Sequence, residues 1–179
     1  MSTNTAVRPA EAEAARAWDI AATVCDPEIP VINIAELGIL RSVHVVPEEF
    51  DDNGNPAVDV TITPTYSGCP AMDAIKDDVV AALGEQGYGD VRVRLVLAPA
   101  WTTDWMTDSG KAKLEEYGIA PPTGMAALRT GPISLGLSVK CPQCNSLNTR
   151  ELTRFGSTSC KALYQCNECK EPFDYFKVL

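Results

Sequence analysis

Two cysteine pairs near the C-terminal end have the spacing to hold a metal, Cys141-Pro142-Gln143-Cys144 and Cys166-Asn167-Glu168-Cys169. Two cysteines separated by two residues wrap one ion through a tight turn, and two such turns complete a tetrahedron of thiolates. The 21 residues from Asn145 to Gln165 slightly exceed the usual interval of about 15–20 between such pairs. They leave room for strands at 149–155 and 161–165, with a third at 172–177. Structural zinc on Cys141, Cys144, Cys166 and Cys169 is the expected occupant. A rubredoxin-like iron or a cluster would use the same ligand set. Four protein ligands close the site, so the metal should hold the fold rather than catalyse.

A different chemistry is open to Cys69. It follows Ser67-Gly68 and precedes Pro70 at the expected start of a helix. The free N–H groups and positive end of that helix should stabilise a thiolate, either as a nucleophile or as a transient ligand for a soft metal. The competing reading is a small buried side chain. Asp26 and Glu28 flank Pro27, where they either cap their own loop or lie beside Cys69. Cys160 could replace a ribbon ligand, face outward toward a passing metal, or sit half-buried in a turn. Cys25 ends the first helix and should pack. The single histidine, His44, lies in a strand and reads as structural, so no triad supports nucleophilic catalysis. Trp101 and Trp105 read as core or interface, and Glu48, Glu49, Asp51 and Asp52 as a solvated hairpin tip.

The elements that must position these groups can be read in order. Residues 1–9 are polar and should be disordered. Ala14, Ala17, Trp18, Ala21 and Ala22 form one helical face, giving a helix over 10–24 that Pro27 and Pro30 end. Residues 25–40 are apolar and proline-punctuated, with no single period, and read as a packed loop. Alternation over 40–46 and a return over 57–63 predict a hairpin whose tip is Asp51-Asp52-Asn53-Gly54-Asn55. Met72, Ile75, Val79, Val80 and Leu83 mark a helix over 70–84, with Pro70 in its first turn. A third strand over 90–97 and a short helix over 107–117 follow. The expected fold is α+β: a small mixed sheet with helices on one face, plus a C-terminal β zinc ribbon. The expected domains are 10–120, a linker over 121–138, and the ribbon over 139–179.

The net charge of −9 is uneven: residues 1–130 carry −11 and residues 131–179 carry +2. Four thiolates on a divalent ion would bring the tail to about neutral. So acidic a main domain disfavours nucleic acid, whose binding rests on neutralising phosphates. No basic-then-apolar leader and no run of about twenty apolar residues is visible, so no membrane span is expected. Seven cysteines cannot all pair, and C-x-x-C pairs suit a reducing cytoplasm.

Two passages carry a resemblance. Asp26-Pro27-Glu28-Ile29-Pro30 through Glu36-Leu37-Gly38-Ile39 resembles the opening motif of the metal–sulfur cluster biosynthetic family, the SufT-like domains of iron–sulfur assembly. Thr65-Tyr66-Ser67-Gly68-Cys69-Pro70 resembles that family's T-x-x-G-C-P motif and puts Cys69 at its reactive cysteine. This likeness covers about residues 12–120. With Pro99 to Trp105, Phe155-Gly156-Ser157-Thr158 and Glu171-Pro172-Phe173, the whole chain is similar to the D-subunit family of phenylacetyl-CoA epoxidase. The resemblance implies a part in aerobic phenylacetate degradation, with a di-iron oxygenase subunit, a flavin and [2Fe-2S] reductase subunit and the iron–sulfur assembly machinery as partners. The chain has neither a Glu-x-x-His pair nor a glycine-rich nucleotide motif, so it should perform neither epoxidation nor reduction itself. The resemblance implies an accessory maturation protein, with Cys69 as a transient ligand for iron or a cluster or as a partner-contact residue, Asp26 and Glu28 nearby, and Cys160 as a further candidate. The alternative is a stoichiometric structural subunit.

Overall fold

The computed structural model describes residues 6–122 and 139–178. Most of the expected linker therefore lies outside the described residues. The chain divides into two compact units, residues 1–101 and 102–179.

The first unit is built on a three-stranded mixed sheet. β3 (Leu40–Phe50) and β4 (Pro56–Ile62) pair antiparallel, and β5 (Val91–Leu95) adds parallel to β4 on its other side. β4 is central, and its side chains alternate as a two-residue period requires. Val58, Val60 and Ile62 are fully buried, while Asp59 and Thr61 face the other way. Helices α1 (Ala12–Ala21) and α2 (Ala71–Glu85) bury Ala14, Ala17, Trp18 and Ala21 and Ile75, Val79 and Leu83 respectively. Asp59 on the polar face is met by Arg92 at 2.9 Å, which also pairs with Glu49. β3 runs four residues beyond the expected strand, so Glu48 and Glu49 lie in it rather than at the tip.

Residues 25–40 are more ordered than a packed loop. β1 (Cys25–Asp26) and β2 (Ile29–Asn33) form a short antiparallel pair. The reason is Asp26, whose Oδ1 accepts the N–H groups of Glu28 at 2.8 Å and Ile29 at 3.0 Å and closes the turn. A second turn is locked reciprocally: Asn33 Oδ1 accepts Glu36 N–H, and Glu36 Oε2 accepts Asn33 N–H. Gly38 leaves it at φ 78°, a backbone state open to glycine. Ile29, Ile32, Ile34, Leu37 and Ile39 all bury their side chains here, and the Trp101 indole N–H bonds Leu37 C=O at 3.1 Å.

Tyr88 ties α1 to the turn after α2. Its hydroxyl donates to Glu13 Oε1 at 2.8 Å, and Arg16 lies 5.5 Å over its ring while donating to Gln86 C=O. Burial, then Glu13, pushes the phenol up to about 12. A raised folded value means that the stability it lends is complete below the ordinary tyrosine range near 10 and is lost as pH rises through about 12. Tyr88→Phe is expected to cost about 1 kcal/mol in a denaturant titration at neutral pH and to shrink that alkaline loss.

The second unit holds a four-stranded sheet in the order β6-β9-β8-β7, from β6 (Ile119–Ala120), β7 (Thr149–Thr153), β8 (Lys161–Cys166) and β9 (Pro172–Phe176). β6 is a strand the periodicity does not reveal, running parallel to β9. Residues 102–120 therefore group with the ribbon, where the sequence places them in the first domain. The short helix α3 (Asp108–Glu116) is capped by Thr107 Oγ1, which accepts Gly110 N–H at 3.0 Å. Trp105 is buried in this unit and Trp101 in the first.

Candidate functional site

The four ribbon cysteines converge. Cys141 and Cys169 Sγ lie 3.8 Å apart, Cys144 and Cys166 Sγ 3.5 Å, and all four sulfurs fall within 4.8 Å of one another. A tetrahedral ion with metal–sulfur bonds of about 2.3 Å sets its thiolates about 3.8 Å apart, so the residues fit one mononuclear ion such as zinc. A cluster would spread the same ligands over several irons.

The two knuckles repeat one backbone design. Asn145 N–H bonds Cys141 C=O, and Lys170 N–H bonds Cys166 C=O, each closing a turn around its pair. Asn145 and Lys170, the residues after the second cysteines, both take positive φ, at 63° and 68°. Cys141 N–H bonds Ser146 C=O just as Cys166 N–H bonds Glu171 C=O. Burial opposes charge on Cys166, but the N–H groups of Cys169 and Glu168 and the neighbouring thiols outweigh it and bring the thiol down to about 7. The apolar core behind the sulfurs is small: Ala120, Val139, Ala162, Phe173 and Tyr175, with Tyr164 edge-on to Tyr175 at 5.4 Å. So small a core needs a staple.

Cys160 is not one of the four grouped sulfurs. Its side chain is buried, with the Thr158 hydroxyl 3.0 Å from its sulfur, so it does not face outward.

In the first unit, β4 leads through buried Thr63, Pro64 and Thr65 into an exposed turn, and Cys69 N–H bonds back to Tyr66 C=O at 3.3 Å. Gly68 makes the turn at φ 88°, and a Cβ there would meet nothing within 4 Å. The glycine is thus required by conformation, and the space over the turn is open. Pro70 is the N-cap rather than a first-turn residue, and no cap side chain of its own serves the helix. The Cys69 sulfur instead accepts the N–H of Ala71.

Cys69 is half-buried, and its thiol lies above its ordinary value. Burial is the largest cause, and the charges of Glu28 and then Asp26 add to it. The Ala71 N–H and a Tyr66 side-chain hydrogen bond pull the other way and are outweighed. The helix start does favour charge on sulfur, but desolvation and two carboxylates oppose it more strongly. Asp26 closes its own loop at 6% exposure and also bears electrostatically on Cys69. Tyr66 is the partner that sequence reasoning missed; it occupies an unspecified place in T-x-x-G-C-P, and the turn folds it back. Iodoacetamide labelling of Cys69, followed by mass spectrometry, is expected to keep accelerating past pH 9, and Glu28→Gln to speed it at fixed pH.

Cys25 does not pack: it is exposed on β1 with its thiol 3.7 Å from Thr23 C=O. His44 is exposed on β3 opposite Asp59. Among the described residues no helix is long and apolar enough to cross a membrane.

An iron–sulfur cluster assembly protein family matches residues 17–95, and a PaaD zinc beta ribbon domain matches residues 131–177. An Escherichia coli K12 protein described as the D-subunit of 1,2-phenylacetyl-CoA epoxidase is 43% identical over 90% of this chain and 91% of its own. The Staphylococcus aureus iron–sulfur protein maturation auxiliary factor SufT is 38% identical over 51% of this chain and 96% of its own. A Porphyromonas gingivalis maturation auxiliary factor is 37% identical over 51% of this chain and 81% of its own. The shorter relatives match a length near that of the first unit, and the epoxidase relative spans both. With an iron–sulfur assembly domain followed by a zinc-ribbon domain and this identity across nine-tenths of its length, the chain belongs to the D-subunit family of phenylacetyl-CoA epoxidase.

Proposed function

We propose that the chain is an accessory maturation protein of the epoxidase, assisting insertion of iron or an iron–sulfur cluster into partner subunits in the cytoplasm. The observation that carries this is the setting of Cys69: a half-buried thiol on an open turn, hydrogen-bonded by Ala71 N–H and Tyr66 and within electrostatic reach of Glu28 and Asp26. The carboxylates attract a cation, and the sulfur gives up its proton only when a soft metal arrives. A ligand neutral at rest and charged only on contact suits a site that takes cargo and releases it. The assembly family's match over residues 17–95 supports the same reading.

In this proposal Cys141, Cys144, Cys166 and Cys169 hold a resident zinc whose chemistry is structural, and the ribbon is a docking module. Cys160, buried, serves the ribbon's packing. Cells lacking the chain are expected to yield epoxidase reductase with an under-occupied cluster, restored by supplying the chain. Fully loaded reductase from such cells would overturn the reading.

A second reading, a stoichiometric structural component without its own chemistry, is favoured by the description of the relative that spans nine-tenths of the chain as part of the epoxidase. Purified active epoxidase separates the two: a 1:1 companion supports the structural role, and its absence supports maturation.

A further inference from the structure

The outer strand of the ribbon sheet carries a feature that neither the metal site nor Cys69 uses. Among the described residues β7 pairs with β8 alone. Its register slips between Glu151 and Thr153, leaving Leu152 as an extra residue. Leu152 is exposed, and Phe155, just past the strand, is 66% exposed.

An exposed phenylalanine is unremarkable when it is free to move, but this one is fixed on three sides. Thr153 Oγ1 accepts Phe155 N–H and donates to Phe155 C=O, both at 3.3 Å. Gly156, next in the chain, is seated so closely that a Cβ would lie 2.7 Å from Asp174 Oδ1. Lys177 Nζ stands 4.7 Å from the ring centroid and donates to Arg154 C=O at 3.1 Å. Loop 155–161 is itself anchored, with Ser157 donating to Asp174 Oδ2 and Gly156 N–H to Lys161 C=O. Asp174 is in turn paired with the buried Lys161 at 3.4 Å. The ordering cost of presenting the ring is therefore met within the ribbon, which is the condition for a binding hot spot.

The charges around the ring give the chemistry of its partner. Arg150 donates to the neutral Gln165, Lys177 to a carbonyl, and Arg154 is 86% exposed. Glu151 is the edge's one acid, and Tyr164 and Arg154 already engage it. Arg150 and Lys177 have no carboxylate partner among the described residues.

We propose that Phe155, with Leu152, Arg150, Arg154 and Lys177, is the anchor by which the ribbon docks an epoxidase subunit that presents an apolar pocket bordered by carboxylates. This rests on the maturation reading for the identity of the partner. The test is titration calorimetry of the full-length chain against the purified oxygenase and reductase subunits, at low and high salt. Phe155→Ala is expected to weaken binding at least tenfold, and Arg154→Glu to weaken it and to flatten its salt dependence. Circular dichroism and metal content identical to the parent show that the variants fold. Unaltered binding by Phe155→Ala overturns this inference alone. No binding of either partner by the parent chain overturns the maturation reading with it. Self-association abolished by Phe155→Ala, with partner binding intact, assigns the patch to a second copy and also overturns the proposal.

Discussion

Stripping the metal from the ribbon, by chelator or by Cys144→Ser, is expected to unfold residues 102–122 and 139–178 and to leave the first unit folded. The magnitude follows from what else holds the ribbon. The cluster behind Cys141 and Cys166 is a handful of side chains, and Ala120 of β6 is one of them. Structural zinc contributes about 10–16 kcal/mol of apparent free energy in zinc-finger peptides, far more than a cluster of this size supplies. The loss should reach back through β6, because Ile119 and Ala120 pair with Asp174 and Tyr175. It should reach α3 as well, through the ion pair of Lys140 with Glu115 at 2.9 Å. The first unit has its own buried core on β4, α1 and α2 and should keep its protection. Hydrogen exchange with peptide resolution reads both: protection lost over β6 to β9 and retained over β3 to β5. Simultaneous loss in both units would refute two independently stable units. Acid should act in the same direction as chelator, since protons compete with the metal for each thiolate.

The parts of this architecture differ in how far they were legible from residues alone. The cysteine pairs were plain, because a four-ligand site demands a spacing that chance seldom gives. The hairpin β3–β4 and helix α2 were legible from periods of two and of three to four. β6 was not, because a two-residue strand has no period; Ile119 and Ala120 are extended only because β9, more than fifty residues away, offers an open edge. The β1–β2 pair was hidden by its two prolines, and the device that orders it is one carboxylate, Asp26, accepting two N–H groups. Cys69 shows the limit most clearly. Its position at a helix start can be read from Gly68 and Pro70. Its protonation cannot, since that depends on burial and on acids forty residues earlier that the fold brings near.

The largest functional effect is expected from Cys69→Ala. The substitution removes the sulfur that Ala71 N–H and Tyr66 address, and it leaves β4, Gly68 and the α2 core in place. Unfolding of the first unit should therefore change by no more than about 1 kcal/mol, while the maturation role is lost. Tyr66→Phe should give a milder form of the same defect, because it deletes one hydrogen bond to the sulfur and keeps the ring. A variant that fails through misfolding would show the reverse pattern, with stability lost along with function.

Four cysteines, in this proposal, hold the ribbon, and a fifth, Cys69, handles the cargo. The most direct test is the cluster occupancy of epoxidase reductase purified from cells whose only copy of this chain carries Cys69→Ala. Iron and sulfide analysis with the absorption spectrum should show an under-loaded reductase beside a normally folded, metal-replete Cys69→Ala protein. Full cluster occupancy with full pathway activity in those cells would contradict it.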